Sequence, residues 1–191
     1  ETGEHVKNIS GLTRILMSQV SRMFPEYALS GEEIDKIATS AILHDVGKIS
    51  IPDQILNKPG RLTDEEFDVM KQHTVRGCEI LKSIPHILEK GLYHYSYDIC
   101  RHHHERWDGR GYPDHLSGDE ISIWAQVVSV VDVYDALTSE RVYKKAFSHE
   151  KAVEMIVNGE CGAFNPKVLE AFHACMDKIN KRKRTANQVS E

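Results

Sequence analysis

The sequence predicts an all-α fold: one helical bundle of about seven helices. Apolar residues recur at three-to-four spacing in nearly every segment, the mark of helices with one buried face. Two capping boxes, Ser30 with Glu33 and Thr63 with Glu66, announce helix starts. No repeat, linker or convincing β-hairpin interrupts the pattern. A chain of 191 residues, 40% of them hydrophobic, suits a single domain with its own core.

The first helix runs from Val6, with Ile9, Leu12, Leu16, Val20 and Met23 on its inner face and Pro25 beyond its end. The second starts at Ser30 and is expected to continue to Asp45, its buried face carrying Ile34, Ala38, Ala41 and Asp45, before Gly47 ends or loosens it. Residues 49–62 hold Pro52, Pro59 and Gly60 and read as a loop. From Thr63 one helix is expected to carry Phe67, Met70, Gly77 and Ile80. Another extends from about Ile87 into His102-His103-His104. Residues 105–120, with Gly109, Gly111, Pro113 and Gly118, form a loop. From Ser122 the residues Trp124, Val127, Val128 and Val131 could pass for a strand, but the helical period of Asp132 and Asp135 favours a helix. Asn165-Pro166 opens a last helix through Val168, Leu169, Phe172, Met176 and Ile179. The basic tail 181–191 is expected to fray as a solvated end.

Composition excludes several classes. The net charge of −5 argues against binding nucleic-acid polymers, which takes a basic surface. No stretch approaches the roughly 20 apolar residues of a membrane span, and no signal peptide is legible. The four cysteines are scattered without a Cys-x-x-Cys pair and read as free thiols of a reducing cytoplasm.

Chemistry gathers in the histidines. Glu1 and His5 stand four apart, on one face of a helix. Asp45, beside His44, continues a buried periodicity, and an interior carboxylate without a partner is costly. His73 shares an inward face with Met70, Gly77 and Ile80. Consecutive helical side chains diverge by about 100°, so one of His102, His103 and His104 is surplus. Asp132 lies on a Val-rich helix. Each has a plainer reading alone: an exposed pair, a buried His–Asp hydrogen bond, a satisfied core histidine. Five segments each bringing His or Asp inward point instead to metal ions and hydrolytic chemistry. Imidazoles and carboxylates without thiolates favour Fe, Mn, Ni, Co or catalytic Zn over a structural zinc site.

The chain resembles the HD-GYP domains, the branch of the HD phosphohydrolases that degrades cyclic di-GMP. The resemblance rests on Glu1-Thr2-Gly3-x-His5, His44-Asp45-x-Gly47-Lys48-Ile49, Ile51-Pro52-Asp53-x-Ile55-Leu56-x-Lys58-Pro59-Gly60 and Leu62-Thr63-x-Glu65-Glu66. It continues through Met70-Lys71-x-His73, His103-His104-Glu105-Arg106-Trp107-Asp108-Gly109-x-Gly111-Tyr112-Pro113 and Asp132-Val133-Tyr134-Asp135-Ala136-Leu137-Thr138-Ser139-x-Arg141-x-Tyr143-Lys144. It spans the chain to about residue 175.

The resemblance implies an HD-superfamily bundle over residues 1–180. It implies a cytoplasmic, metal-dependent phosphodiesterase (a hydrolase) converting cyclic di-GMP to the linear dinucleotide, to GMP, or both. The alternatives are a phosphohydrolase of another cyclic dinucleotide or nucleotide, and a non-catalytic cyclic di-GMP sensor. Two or three divalent ions are implied, Fe or Mn first, with Ni, Co or Zn as alternatives. Asp45 would bridge two of them. His44 and Asp132 would hold the first, His73, His103 and His104 the second, and Glu1 and His5 would complete the first site or hold a third ion. Lys48 would contact the scissile phosphate, Tyr112 would lie beside the substrate, and Arg141 and Lys144 would bind its phosphates. A homodimer, signalling-protein partners and an upstream receiver or sensory domain are compatible with the resemblance; membrane contact by this domain is not expected. The chain departs from the family pattern at Asn8, where a basic residue is usual, at Asp114-His115 after Tyr-Pro, and at Ser122 and Val142, where prolines are usual.

Overall fold

The computed structural model describes residues 3–89, 91–140 and 145–189, and among them there is no β-strand. The α-helices are α1 (Gly3–Met23), α2 (Gly31–Ser40), α3 (Asp53–Leu56), α4 (Asp64–Lys71), α5 (His73–Lys82) and α6 (Pro85–Glu89). They continue with α7 (Tyr93–His102), α8 (Ile123–Thr138), α9 (His149–Val157), α10 (Pro166–Ala174) and α11 (Met176–Val189). The all-α expectation holds. The segments outnumber the expected seven because α3 and α6 are single turns and two expected helices are each broken in two.

The centre of the bundle is α8. Ala125, Val127, Val128, Val130, Val131, Tyr134 and Leu137 are all buried there. Its β-branched run has weak intrinsic helix preference, and burial on nearly every side overrides it. Ser122 caps it by accepting from the Ala125 N–H. Against α8 lies α1, whose Ile9, Leu12, Leu16 and Val20 are buried at the expected spacing. Helices α2, α10 and α11 pack on α1, while α7 and α9 pack on α8. A second apolar cluster, Cys78, Leu81, Ile87, Leu92 and Cys100, joins α5 to α7. All four cysteines are free thiols.

Both predicted capping boxes form, at Ser30–Glu33 and Thr63–Glu66. The second helix, however, stops at Ser40 rather than reaching Asp45. The chain tightens into 3-10 turns over Ala41–Leu43 and Val46–Ser50, with Asp45 between them at φ −104°, ψ 12°. Gly47 packs the second of these turns against α5. Its backbone lies so close to α5 that a Cβ there would collide with the His73 carbonyl oxygen and the Gly77 nitrogen. The helix expected from Thr63 breaks at Gln72, where the His73 ring turns back to the Met70 carbonyl.

The tail expectation is corrected. The chain pauses at Cys175 and then continues as α11 to Val189, with Ile179 and Lys183 buried. The apolar face of the preceding helix runs on at four-residue spacing through Cys175, Ile179 and Lys183, so a basic composition conceals a packed helix.

Gly47→Ala is expected to destabilise the protein by about 1–3 kcal/mol, because it overpacks a rigid backbone contact. The unfolded-state entropy gain of a Gly→Ala change, about 0.4–1 kcal/mol, does not offset this. Urea denaturation checks it; an unchanged midpoint would contradict the close packing.

Candidate metal centre

The broken helix ends bring sequence neighbours to one interior cluster. Adjacent residues of an intact helix diverge, yet His44 and Asp45 are both buried and both face it, because the backbone leaves helical geometry between them. The same happens at the end of α7. Its last helical residue is His102, and His103 and His104 follow in the unwinding turn.

The surplus histidine is His102. Its ring lies between Asp98 Oδ1 at 2.7 Å and Asp114 Oδ2 at 2.9 Å, outside both groups of inward ligands. Arg101 holds the same Asp114 carboxylate through two hydrogen bonds of 2.6 and 2.7 Å. Asp114, a departure from the family pattern, thus ties the glycine-rich loop to α7. Ser122, another departure, donates to Asp98, as does Trp124 Nε1 at 2.5 Å.

Around Asp45 the geometry is that of ligands about an ion. Oδ1 lies 3.1 Å from His73 Nε2 and 3.6 Å from His103 Nε2, while Oδ2 lies 3.3 Å from His44 Nε2. His44 Nε2 also faces Asp132 Oδ1 at 3.6 Å. Two groups result, Asp45 with His73, His103 and His104, and His5 with His44 and Asp132; within each, the offered atoms lie within 4.8 Å of one another.

The backbone fixes the tautomers. Nδ1 of His44 donates to the Ala41 carbonyl at 2.8 Å, Nδ1 of His73 to Met70 at 2.7 Å, and Nδ1 of His103 to Ile99 at 3.0 Å. A carbonyl only accepts, so Nδ1 carries the proton in each neutral ring and Nε2 presents a lone pair inward. Those three Nε2 atoms and Asp45 Oδ1 are buried with no hydrogen-bond partner. Leaving four such atoms bare in an interior is costly, and a cation shared among them removes the cost. The residues therefore fit divalent ions, and the donor set suits borderline or hard ones.

Electrostatics agree. Burial pushes the Asp45 carboxyl upward, but His103, His44 and His73 outweigh it and hold it well below the usual carboxylate range. Asp132 is likewise kept ionised against its burial, chiefly by His44. Burial also opposes charge on His44, yet Asp132 and Asp45 raise it well above the ordinary imidazole value. His104 is driven well below that value, by burial first and then by His103.

Of the remaining residues expected in the site, Tyr112 stacks on His104 with ring centroids 4.8 Å apart and meets Phe67 edge-on at 6.0 Å. Its peptide bond to Pro113 is cis. The Lys48 ammonium lies on Asp45 Oδ2. Glu1, Arg141 and Lys144 lie outside the described residues.

Three contributors went unassigned in the sequence. Asp135, one turn beyond Asp132 on α8, accepts from His5 Nδ1 at 2.7 Å and from Asn8 Nδ2 at 3.1 Å. Asn8, which departs from the family's basic residue, thus serves a buried carboxylate. Glu105 is buried and accepts from the backbone N–H groups of Asp114 (2.6 Å) and Leu116 (3.1 Å), shaping the loop that carries Tyr112. Lys183 is the third. A carboxylate repeating at i+3 on an apolar helix signalled Asp135, whereas little distinguished Lys183 within its basic run.

Comparison with known proteins places these motifs. The HD domain family model matches residues 4–168. A cyclic di-GMP phosphodiesterase of Vibrio cholerae is 44% identical over 182 residues, covering 94% of this chain and 37% of that protein. A 3′3′-cGAMP-specific phosphodiesterase of the same organism is 37% identical over 170 residues, covering 89% of this chain and 30% of that protein. The chain thus spans well under half the length of these relatives. Among solved structures, Bd1817, an HDG"Y"P protein from Bdellovibrio bacteriovorus, superposes with a TM-score of 0.63 at 19% identity, over 94% of this chain and 51% of that one.

Asp45→Asn is expected to weaken metal retention at both groups by more than the roughly 10–100-fold typical of losing an outer partner. Elemental analysis after gel filtration checks this; undiminished metal content would contradict the shared-ligand geometry. Metal uptake should also release protons, because Asp132 and Asp45 favour protonation of the His44 ring and an ion on its Nε2 would compete with that proton. Affinity is then expected to rise with pH above about 6.5, the ordinary imidazole value. Calorimetric titrations with Mn²⁺ in buffers of different ionisation enthalpy measure the released protons; heats independent of the buffer would contradict it.

The two histidine–carboxylate groups meeting at Asp45, with the family match over most of the chain, establish that this chain belongs to the HD domain family and carries the motifs of its HD-GYP branch.

Proposed function

We propose that this chain is the catalytic domain of a metal-dependent phosphodiesterase that hydrolyses cyclic di-GMP. The observation that carries the reading is the pair of adjoining histidine–carboxylate groups, with Asp45 of one group 3.3 Å from His44 of the other and a lysine at the same carboxylate. His44, Asp45, Asp132 and His5 would hold one ion, with Glu1 completing that site or holding a third. His73, His103, His104 and Asp45 would hold the other. When bound, such ions supply Lewis acidity toward phosphate oxygens and lower the pKa of water to the neutral range. Fe and Mn fit the imidazole–carboxylate set, with Ni, Co and Zn as alternatives.

The chain's own residues do the rest. Lys48, part-exposed at the rim, can leave Asp45 once cations neutralise that carboxylate and turn to a phosphodiester oxygen. Arg141 and Lys144 would bind the substrate's phosphates. Tyr112, held against His104, would lie beside the substrate. The relatives named for cyclic di-GMP and for 3′3′-cGAMP support a cyclic dinucleotide as the substrate class, with cyclic di-GMP first because of the 44% relative and 3′3′-cGAMP as the second reading. Such a domain would act in the cytoplasm under an upstream receiver or sensory domain. No described helix is long and apolar enough to cross a membrane.

Metal-depleted protein, reloaded anaerobically with Fe²⁺ or Mn²⁺, should hydrolyse cyclic di-GMP faster than 3′3′-cGAMP and be inactive without metal. Resolving the linear dinucleotide from GMP identifies the end product. Fully loaded protein that hydrolyses neither dinucleotide would overturn the reading. Lys48→Met should lower kcat by about 10²–10³-fold at retained metal content, the scale of losing one transition-state charge partner. Arg141→Ala and Lys144→Ala should chiefly raise KM. Wild-type rates in all three would refute these roles.

A further inference from the structure

We propose that Lys183, on the C-terminal helix, is a positioning residue for the His5–His44–Asp132 metal group, acting through Asp135. The inference rests on the metal reading of that group and extends it to a part of the chain beyond the family match, which ends at residue 168.

Asp135 is only 1% exposed. Its two carboxylate oxygens have separate duties. Oδ1 receives the Lys183 ammonium and the Asn8 amide at 3.1 Å, and Oδ2 receives His5 Nδ1 at 2.7 Å. With Oδ1 held by two donors, the carboxylate cannot rotate, and Oδ2 stays aimed at His5. That bond protonates His5 at Nδ1 and turns Nε2 toward His44 and Asp132, the carboxylate–histidine arrangement that orients metal ligands. Lys183 is itself fixed. It is 6% exposed, and its ammonium also donates to Ser139 Oγ at 2.7 Å.

A buried lysine is costly unless paired, so the packing that carries it inward is informative. Gly11 provides it. The Arg182 guanidinium lies across Gly11 of α1, where any Cβ would collide with it, and Arg182 Nη2 reaches the Lys7 carbonyl at 3.4 Å. Helix α11 packs on α1 here, with Lys183 turned inward to Asp135. One carboxylate thereby links α1, α8 and α11 directly behind a metal ligand.

The test is a titration of the metal-depleted, full-length chain with Mn²⁺, counting free ion by electron paramagnetic resonance. Wild type should show two sites. Lys183→Met should weaken one of them by about 10–100-fold, the range for outer partners of metal ligands. Lys183→Gln, which keeps a donor to Asp135, should recover part of that loss. Lys178→Met, which removes an exposed charge from the same helix, should match wild type. If Lys183→Met does not fold, the cycle of Lys183→Gln with Asp135→Asn decides, since residues acting in series give non-additive losses. Two sites of wild-type affinity in Lys183→Met, or strictly additive losses in the cycle, would overturn the inference. A wild type that takes up no Mn²⁺ would overturn the metal reading itself.

Discussion

Asp45 is a carboxylate that three imidazoles on different segments approach at once, in an interior with little water to solvate it. A charge in that setting is tolerable only if compensated. Lys48 lies on one oxygen, while His44, His73 and His103 each spend an Nδ1 proton on a backbone carbonyl and turn a bare nitrogen inward. Asp45 Oδ1 and the inward nitrogens stay unpaired, and a cation would satisfy them. The breaks in the helices meet this geometry. Neighbouring residues must face one point, which an intact α-helix forbids, so α2 gives way to 3-10 turns and α7 unwinds after His102.

Around that centre, a second tier of polar residues fixes the geometry without entering it. Glu105 accepts two backbone N–H groups of the glycine-rich loop, and Gly111 lets that loop pass against Glu105 and Arg106 where a Cβ would collide. Asp114 binds the loop to Arg101 and His102. Together they hold Tyr112 flat against His104. On the opposite side Asp135 does the same for His5. The apolar core around α8 keeps the supports rigid, since Val127, Val128, Val130 and Val131 allow little adjustment.

The fold was legible where an apolar face kept the helical period, as in α1 and α8, and where a capping signal marked the start, as in α2, α4 and α10. Burial patterns located His44, Asp45, His73 and Asp132, and the family motifs singled out His103 and His104. The chain's breaks were not legible, and neither was the close approach of Gly47 to Gly77 and the His73 carbonyl, which depends on a distant segment. The identity of the surplus histidine was likewise undecidable, since it depends on Asp98 and Asp114 closing around His102. Lys183 was misread for a different reason. Its basic neighbours suggested solvent, while the four-residue spacing from Cys175 and Ile179 placed it inside.

The central claim is that Asp45 joins two ions into one centre. The most direct measurement is low-temperature electron paramagnetic resonance of the fully Mn²⁺-loaded protein. A carboxylate-bridged pair predicts an exchange-coupled spectrum whose intensity changes with temperature as the coupled levels populate. The six-line signal of isolated Mn²⁺, at full loading and at every temperature, would contradict the account.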